Sequence, residues 1–572
     1  MPNPDGESEK DRLLKLKQTL SIKYPRKNNG LTSKSSSSNT PEIIIENGFQ
    51  GSQYNNRVPN DNTLAISNDG VIVSGINSKF FFYDTNNDSI LEEGTLHSFT
   101  TGFPQFNTVS KYDPKFIYDP DEDRFIISFL IGTAYQNSNI CVAFSSSNNP
   151  SDPWNVYLLS GNPLGTDHWT DYPAIALSKD ELFITGNLLA NGVSWQLGFQ
   201  QSLIWQIDKY DGYNGETSLD MQIWSDIKDD SIYIRNLHPA RGARGLRGPN
   251  QFLLSNKNFS AESDTVYLIE VTNTLNSGLA SLNLTRLSLP NHYFLSPNGK
   301  QSINKELSTN DSRMLGAVID DNWIQYVHHS MDTSYGTAGI YHGVIENYSS
   351  APEINGTILS DSIMDYGYPN IASTGINPNE KECIIGFNYT SAIDTNGVAC
   401  YYMDNLNNYS ERTQLKNGDA PINSFVNGQI DRWGDYFGIQ RWYSNPCKVW
   451  MSGMYGGLTS NASWISSVAV SDTCRNPDPI ISTEPPFIDG TLYPNPSIDW
   501  MIYDFTLEET QMISISIYDT QGKLVKTLYN DQASSGENRL SFNTYYLEQG
   551  LYIIQISSQN EVLSTKKFMK GF

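Results

Sequence analysis

The sequence predicts an all-β fold, a seven-bladed β-propeller followed by a small Ig-like β-sandwich. Three observations carry that expectation. Charged residues make up only 17% of the chain and aromatics 12%, with Gly, Asn, Ser and Tyr abundant. Such a composition favours short strands joined by polar turns over long helices. Apolar runs recur along residues 41–472 between Asp, Asn and Gly turns. A Pro-rich stretch, SDTCRNPDPIISTEPP, then separates this body from a last set of alternating strands.

Residues 1–40 hold a short amphipathic stretch, Leu13-Leu14-Lys15-Leu16-Lys17, and a Ser-rich run from Ser33 to Ser38. Too polar to bury a core, this segment is expected to be disordered. Pro41 to Glu46 reads as a lone early strand that can complete the last sheet and close a ring. Seven units follow, the first from Thr63 to Asp84 with its tight turn at Asp69-Gly70. The second runs from Lys115 to Ser145, turning at Pro120 to Asp123, and the third from Ala174 to Asp211. A weaker fourth spans Asn250 to Thr272, and the last three begin at Arg313, Asn370 and Gly438. Units of three or four strands, about 50 to 70 residues apart, suit a ring in which each sheet buries both faces and most edges are hidden. Residues 473–486 read as a linker, and 487–572 as the sandwich.

A net charge of −24 and a pI near 4.6 disfavour a nucleic-acid partner, because phosphate contacts need clustered Lys and Arg. No apolar run approaches the roughly 20 residues of a membrane span. The stretch MPNPDGESEKDRLLKLKQTL has charge where a secretory signal needs an apolar core, so no signal is expected within it. The five cysteines lack the spacing of a zinc ligand set. Cys383 with Cys400 and Cys447 with Cys474 read as two disulfides, suited to an oxidising compartment, with Cys141 buried and free.

The final stretch contains Tyr493-Pro494-Asn495-Pro496, then Tyr518-Asp519-Thr520-Gln521-Gly522-Lys523, then Gly550-Leu551-Tyr552, and ends on the basic Lys566-Lys567-Phe568-Met569-Lys570. Together these resemble the type A C-terminal sorting domain of the type IX secretion system of Bacteroidota. The resemblance implies export through the secretion machinery, removal of the domain near the linker, and release or attachment to surface lipopolysaccharide. Its residues here are Tyr493, Pro494, Asn495, Pro496, Asp519, Gly522, Gly550, Tyr552 and Lys567. Asp171 to Asn187 (DYPAIALSKDELFITGN) and Asp431 to Trp442 (DRWGDYFGIQRW) resemble uncharacterised bacterial propeller proteins, which carry no settled activity.

Chemistry is sought at the ring axis. An Asp stands just ahead of the first strand of six units: Asp61, Asp113, Asp171, Asp311, Asp365 and Asp435. Innermost strands of a propeller line its channel, so these carboxylates are expected to converge at one mouth. The remaining unit has His238 and Arg241, while Arg313 and Arg432 stand beside the motif. Carboxylates suit a glycan or a hard cation such as Ca²⁺, although no metal set is assigned. The architectural alternative is that each Asp caps a turn or bonds a neighbouring sheet. Trp169, Tyr172, Trp433 and Tyr436 are expected to be exposed and to stack on sugar rings. The expected function is ligand binding by a secreted or surface protein, with a glycan or a surface protein as partner. The alternative is a glycoside hydrolase acting on polysaccharide or glycoprotein. Against a sialidase-like site, Arg241, Arg244 and Arg247 share one loop, ARGARGLRG, and no S-x-D-x-G-x-T-W box occurs.

Overall fold

The computed structural model describes residues 9–27, 43–54, 59–193, 195–424, 428–470, 490–507, 510–520, 523–558 and 561–571. The chain is all-β apart from short helices. It divides into two units, Met1–Ser471 and Asp472–Phe572.

In the first unit, sheets of consecutive antiparallel strands follow one another along the chain. Their first strands are Thr63–Ile66, Lys111–Asp119, His168–Leu177, His238–Pro239, Met314–Ile319, Asp365–Ser373 and Gly438–Arg441. Each touches the first strand of the next sheet, and Gly438–Arg441 touches Thr63–Ile66, so the series closes on itself. The seam is held by a strand from before the first sheet. Ile43–Gln53 pairs antiparallel with Asn461–Val470, Ile43 opposite Val470, as the outer strand of the last sheet. Middle strands such as Arg124–Ile131 and Trp323–Asp332 are buried almost throughout, whereas outer strands such as Ser89–Thr95 and Glu353–Leu359 are largely exposed. That gradient is what stacking sheets face to face around an axis produces, since only the outer strands border water. Each interface has its own core, such as Ile126, Ile140, Ile184 and Trp205 between the second and third sheets.

Just ahead of three first strands, at Asp61, Asn236 and Asn310, and near the start of three others, at Asp113, Tyr172 and Tyr368, the backbone passes through the left-handed region, with φ between 50° and 57°. Asp and Asn tolerate this conformation, while Tyr does so only where packing enforces it. In three sheets the feature coincides with a register shift, between Tyr112 and Lys115, Asp171 and Ala174, and Gly367 and Asn370. A bulge of this kind re-aims the side chains around it.

Two expectations are corrected. Within the segment expected to be disordered, Glu9–Lys23 forms helix α1. Leu13, Leu16 and Leu20 fall on one helical face, and Leu13 and Leu20 are buried against Leu295 and Met331. The stripe looked too short to bury because its partners lie far along the sequence. Lys17 Nζ donates to Asn298 Oδ1 (3.0 Å) and Thr309 Oγ1 (2.8 Å), and Arg26 Nη2 donates to both oxygens of Asp365 (2.6 Å). Secondly, Cys383 and Cys400 are free and buried. Cys383 lies opposite Met403 and Cys400 opposite Gly386, three rows apart, and they face different cores, beyond disulfide reach. Cys141 is free and buried, as expected. Cys447 is disulfide-bonded; its expected partner, Cys474, lies outside the described residues, as does the linker 473–486.

The second unit is a pair of antiparallel sheets. One orders Gly490–Tyr493, Trp500–Leu507 and Gly536–Asn543; the other orders Leu524–Ala533, Gln511–Tyr518, Gly550–Ser558 and Glu561–Lys570. Tyr503, Phe505, Ile515, Ile517, Ile554 and Phe568 form their shared core. The motif residues tie its ends together. Asn495 Nδ2 donates to Lys567 O (3.2 Å), Met569 N donates to Asn495 Oδ1 (2.9 Å), and Lys523 N donates to Asp519 Oδ1 (2.9 Å). Tyr493 OH donates to Asp504 Oδ2 (2.7 Å), and Tyr552 stacks on Phe568 at 5.7 Å. Gly522 lies outside the described residues.

Candidate functional site

Because the first strands lie side by side, the residues leading into them meet at one end of the ring. There they line a cavity of about 280 Å³ whose walls include Asp61, Asp113, Asp171, Asp435, Arg313 and Arg432. Four of the six expected carboxyls therefore converge, from four different sheets, with two of the expected guanidiniums.

Their partners differ. Asp61 Oδ2 accepts from Asn77 Nδ2 (2.6 Å), but Asp61 Oδ1 is buried without a partner. Asp113 Oδ2 accepts from Tyr436 OH (3.0 Å). Asp435 accepts from Asn310 Nδ2 and from Arg432 Nη2. Burial pushes the Asp61 carboxyl well above its ordinary value, and repulsion from Asp435 and Asp113 adds to the effect. Burial, then Asp171 and Asp435, push Asp113 up to about 8. Burial and Asp435 push Asp171 up to about 6. A protonated carboxyl donates as well as accepts, so the cavity offers both kinds of hydrogen-bonding group at neutral pH.

Asp311, Asp365 and Trp433 do not reach this cavity. Asp311 is turned onto Arg313, which donates to it from Nε (2.8 Å) and Nη2 (2.7 Å). Burial alone would raise the Asp311 carboxyl, but the guanidinium more than offsets it and holds it below the ordinary value. Asp365 accepts from Arg26 and from the backbone N–H of Lys300 (2.8 Å) and Ala338 (2.8 Å), the architectural role. Trp433 is fully buried, edge-on to Tyr368 at 6.2 Å. Tyr172 and Tyr436 are buried too, as a tilted pair 5.4 Å apart, with the Arg313 guanidinium 4.3 Å over Tyr172. The expected exposed stacking surface is therefore absent at these three positions, because Tyr172 of the third sheet and Tyr436 ahead of the seventh pack on each other, and Trp433 packs on Tyr368 of the sixth. Trp169 is half-buried.

The six Asp residues part company because they occupy different registers. Counted from the left-handed residue, Asp61 and Asp113 occupy that position, Asp171 precedes it by one, Asp311 follows it by one, and Asp365 precedes it by three, while Asp435 leads into Gly438–Arg441, where no left-handed residue occurs among the described residues. Asn236 and Asn310, the left-handed residues of the fourth and fifth sheets, also line the cavity and were missed. Reading Asn with Asp at that position would have found them.

Two residues beyond five of the six left-handed positions the side chains form a second layer. A space of about 50 Å³ is lined there by Thr63, Lys115, Ala174, His238, Asn370 and Gly438, with Arg241 beside them. His238 and Arg241 thus lie deeper than the mouth where they were expected, since His238 stands two residues past Asn236. Lys115 was not singled out by the sequence.

At the far end of the first strands, the loop carrying Arg241, Arg244 and Arg247 bonds to four sheets. Arg241–Gly242 pairs parallel with Val318–Ile319, and Lys179 N donates to Arg247 O (2.8 Å). Arg441 Nη1 donates to Ala243 O (3.2 Å) and Gly375 O (2.7 Å). Arg244 Nε donates to Asp320 Oδ2 (2.6 Å), and Arg247 pairs with Asp320 and Asp321. A side chain at Gly242 would meet Gly245 O at 1.9 Å, so the tight path requires glycine there. Arg244 and Arg247 are committed to holding a plug.

Among the described residues, no group of three or more His, Cys, Asp or Glu is arranged to hold a metal ion. No described helix is long and apolar enough to cross a membrane.

Residues 491–570 match the secretion system C-terminal sorting domain, which marks the chain for secretion or cell-surface export by the type IX system. No curated protein matches the chain. Among solved structures, a sialidase of Trypanosoma rangeli in complex with the inhibitor DANA is 7% identical, covering 92% of this chain and 90% of that one, at a TM-score of 0.37. A chain of a mitotic checkpoint complex is 9% identical over 78% of this chain and 98% of that one, at 0.40. An exo-β-1,3-galactanase from Phanerochaete chrysosporium with galactose is 10% identical over 92% and 100%, at 0.28. Likenesses this distant bear on neither substrate nor mechanism.

Proposed function

We propose that residues 43–470 form a seven-bladed propeller whose axial cavity binds a glycan, presented outside the cell by a bacterium of the Bacteroidota type. The observation that carries this reading is the convergence of Asp61, Asp113, Asp171 and Asp435, from four sheets, on one cavity with Arg313 and Arg432. Sugar hydroxyls need donors and acceptors at close range, and a mixture of protonated and ionised carboxyls supplies both. Asp61 Oδ1, buried and unpartnered, is an acceptor such a hydroxyl would satisfy. A surface protein is the alternative partner. After export, cleavage in the linker would release the propeller or hand it to surface lipopolysaccharide. The test is a glycan and surface-protein screen with the full chain, Asp171→Asn and Asp435→Asn. At least tenfold weaker binding is expected in both variants, and unchanged binding to every ligand found would dismiss the cavity.

One observation favours hydrolysis as a second reading. Asp113 and Asp171, both titrating nearer neutrality than ordinary carboxyls, share the cavity and repel each other, as an acid and base pair must. Release of reducing sugar from a polysaccharide panel, abolished by Asp113→Asn, would establish it.

A further inference from the structure

Beneath the acidic mouth the channel changes sign. Lys115, His238 and Arg241 come from two sheets and the plug loop to share the space of about 50 Å³, and no Asp or Glu lines it. Among the described residues, Lys115 Nζ has no hydrogen-bond or ion-pair partner, and it lies over the ring of Tyr436. Neither ring nitrogen of His238 has a partner. Arg241 spends one N–H on Ile439 O (3.1 Å) and one on Asn370 Oδ1 (3.2 Å), out of five. Donors are thus plentiful and acceptors few. Lys115, His238 and Arg241 are half-buried; drawing cationic donors away from bulk water with few acceptors at hand is costly, and an anion placed among them relieves that cost.

We propose that this second layer is a binding site for one small monovalent anion, a halide or a carboxylate group, held by Lys115, His238 and Arg241. The size agrees, because the space exceeds that of a single water and falls short of a sugar ring. The electrostatics agree as well. Burial, Lys115 and Arg241 together press His238 down to about 3, so it enters the site as a neutral N–H donor. Burial lowers Lys115 to about 7, Asp113 and Asp61 pull it up, and Arg241 pushes it down again. An anion beside Lys115 would keep the ammonium protonated. Asp113 and Tyr436 stand between this site and the mouth, so the two are separate spaces and a salt titration reads this one without any glycan present.

The test uses the full chain purified without halide. Melting temperature is followed against sodium chloride, sodium acetate and sodium gluconate at equal ionic strength, gluconate being too large for the space. A saturable rise with chloride, absent in gluconate, is expected, with tenfold weaker dependence in Lys115→Met or His238→Phe. A matching rise in acetate would show that the site takes carboxylates; a rise in chloride alone would show a halide site. Crystals soaked in sodium bromide should carry an anomalous peak bounded by Lys115, His238 and Arg241, a readout that needs no variant to fold. Equal curves in all three salts together with no bromide peak would overturn the proposal, whatever the glycan screen returns.

Discussion

The two ends of the channel are lined by similar numbers of charged side chains and differ in what those side chains do. At the plug, Arg244, Arg247 and Arg441 each reach Asp320, Asp321 or backbone carbonyls, and of their buried nitrogens only Nε of Arg247 and of Arg441 is left without a partner among the described residues. At the mouth, Asp61 Oδ1 and both side-chain polar atoms of Asn60 are buried without a partner, and Asp113 and Asp171 crowd each other. Charge that is fully partnered stabilises a fold, whereas charge left short of partners costs stability and persists where something else supplies the missing contacts. The contrast is what supports the proposed binding at the mouth.

That comparison breaks most sharply at Asp320. Its carboxylate is fully buried between two guanidiniums that are themselves partly exposed. Asp320→Ala is expected to cost about 3 kcal/mol, the lower end for breaking a buried pair, seen as a fall in the denaturant midpoint. Ligand binding at the mouth should be untouched. A neutral result would mean that the plug is not held by its charges.

The mouth should answer with the opposite sign. Asp61→Asn keeps the shape and removes a buried acid crowded by Asp113 and Asp435, so the body should gain about 1 kcal/mol while losing ligand affinity. A loss of stability there would erase the distinction between the two ends.

Acid and base sharpen the picture further. Asp113 and Asp171 hold their protons to about 8 and about 6 in the fold, against an ordinary value of about 4. The stability they contribute is complete below about pH 4 and is lost as pH rises through those folded values. His329 and His342, buried elsewhere in the body, are held down to about 3. Unfolding lets them take up protons below about 6.5, so their effect is loss of stability as pH falls from there towards 3. Melting temperature from pH 4 to 9 should therefore flatten on the alkaline side in Asp113→Asn and on the acid side in His342→Gln. His342 bonds Tyr409 and Gln325, so its variant will also start lower.

Much of this was legible in the sequence. The apolar runs and their turns gave the sheets, and the early strand Ile43–Gln53 closes the last one because its apolar residues had no local partner. Asp61, Asp113, Asp171 and Asp435 were found because carboxyls recur at strand starts. What the pattern could not convey was register: Asp171, one residue before the left-handed position, faces the cavity, whereas Asp311, one residue after it, faces a neighbouring Arg313. Burial of Tyr172 and Trp433 was hidden for a related reason, since it depends on residues of other sheets and not on the local strand. Helix α1 escaped because Leu295 and Met331, which cover it, lie far along the chain.

The smallest expected effect tests that register directly. Asn236 has φ of 57°, accepts from Asn187 Nδ2 (2.7 Å), and gives its backbone N–H to Asn187 Oδ1 (3.0 Å). Glycine keeps that backbone at no steric cost and loses one side-chain hydrogen bond, whereas alanine loses the same bond and strains the left-handed turn. Asn236→Ala should therefore be less stable than Asn236→Gly by about 1 kcal/mol, measured by denaturation of the two variants side by side. Equal stability would mean that the strand start is not held in this conformation. The common register that brings the residues of successive sheets to one mouth would then have no backbone cause.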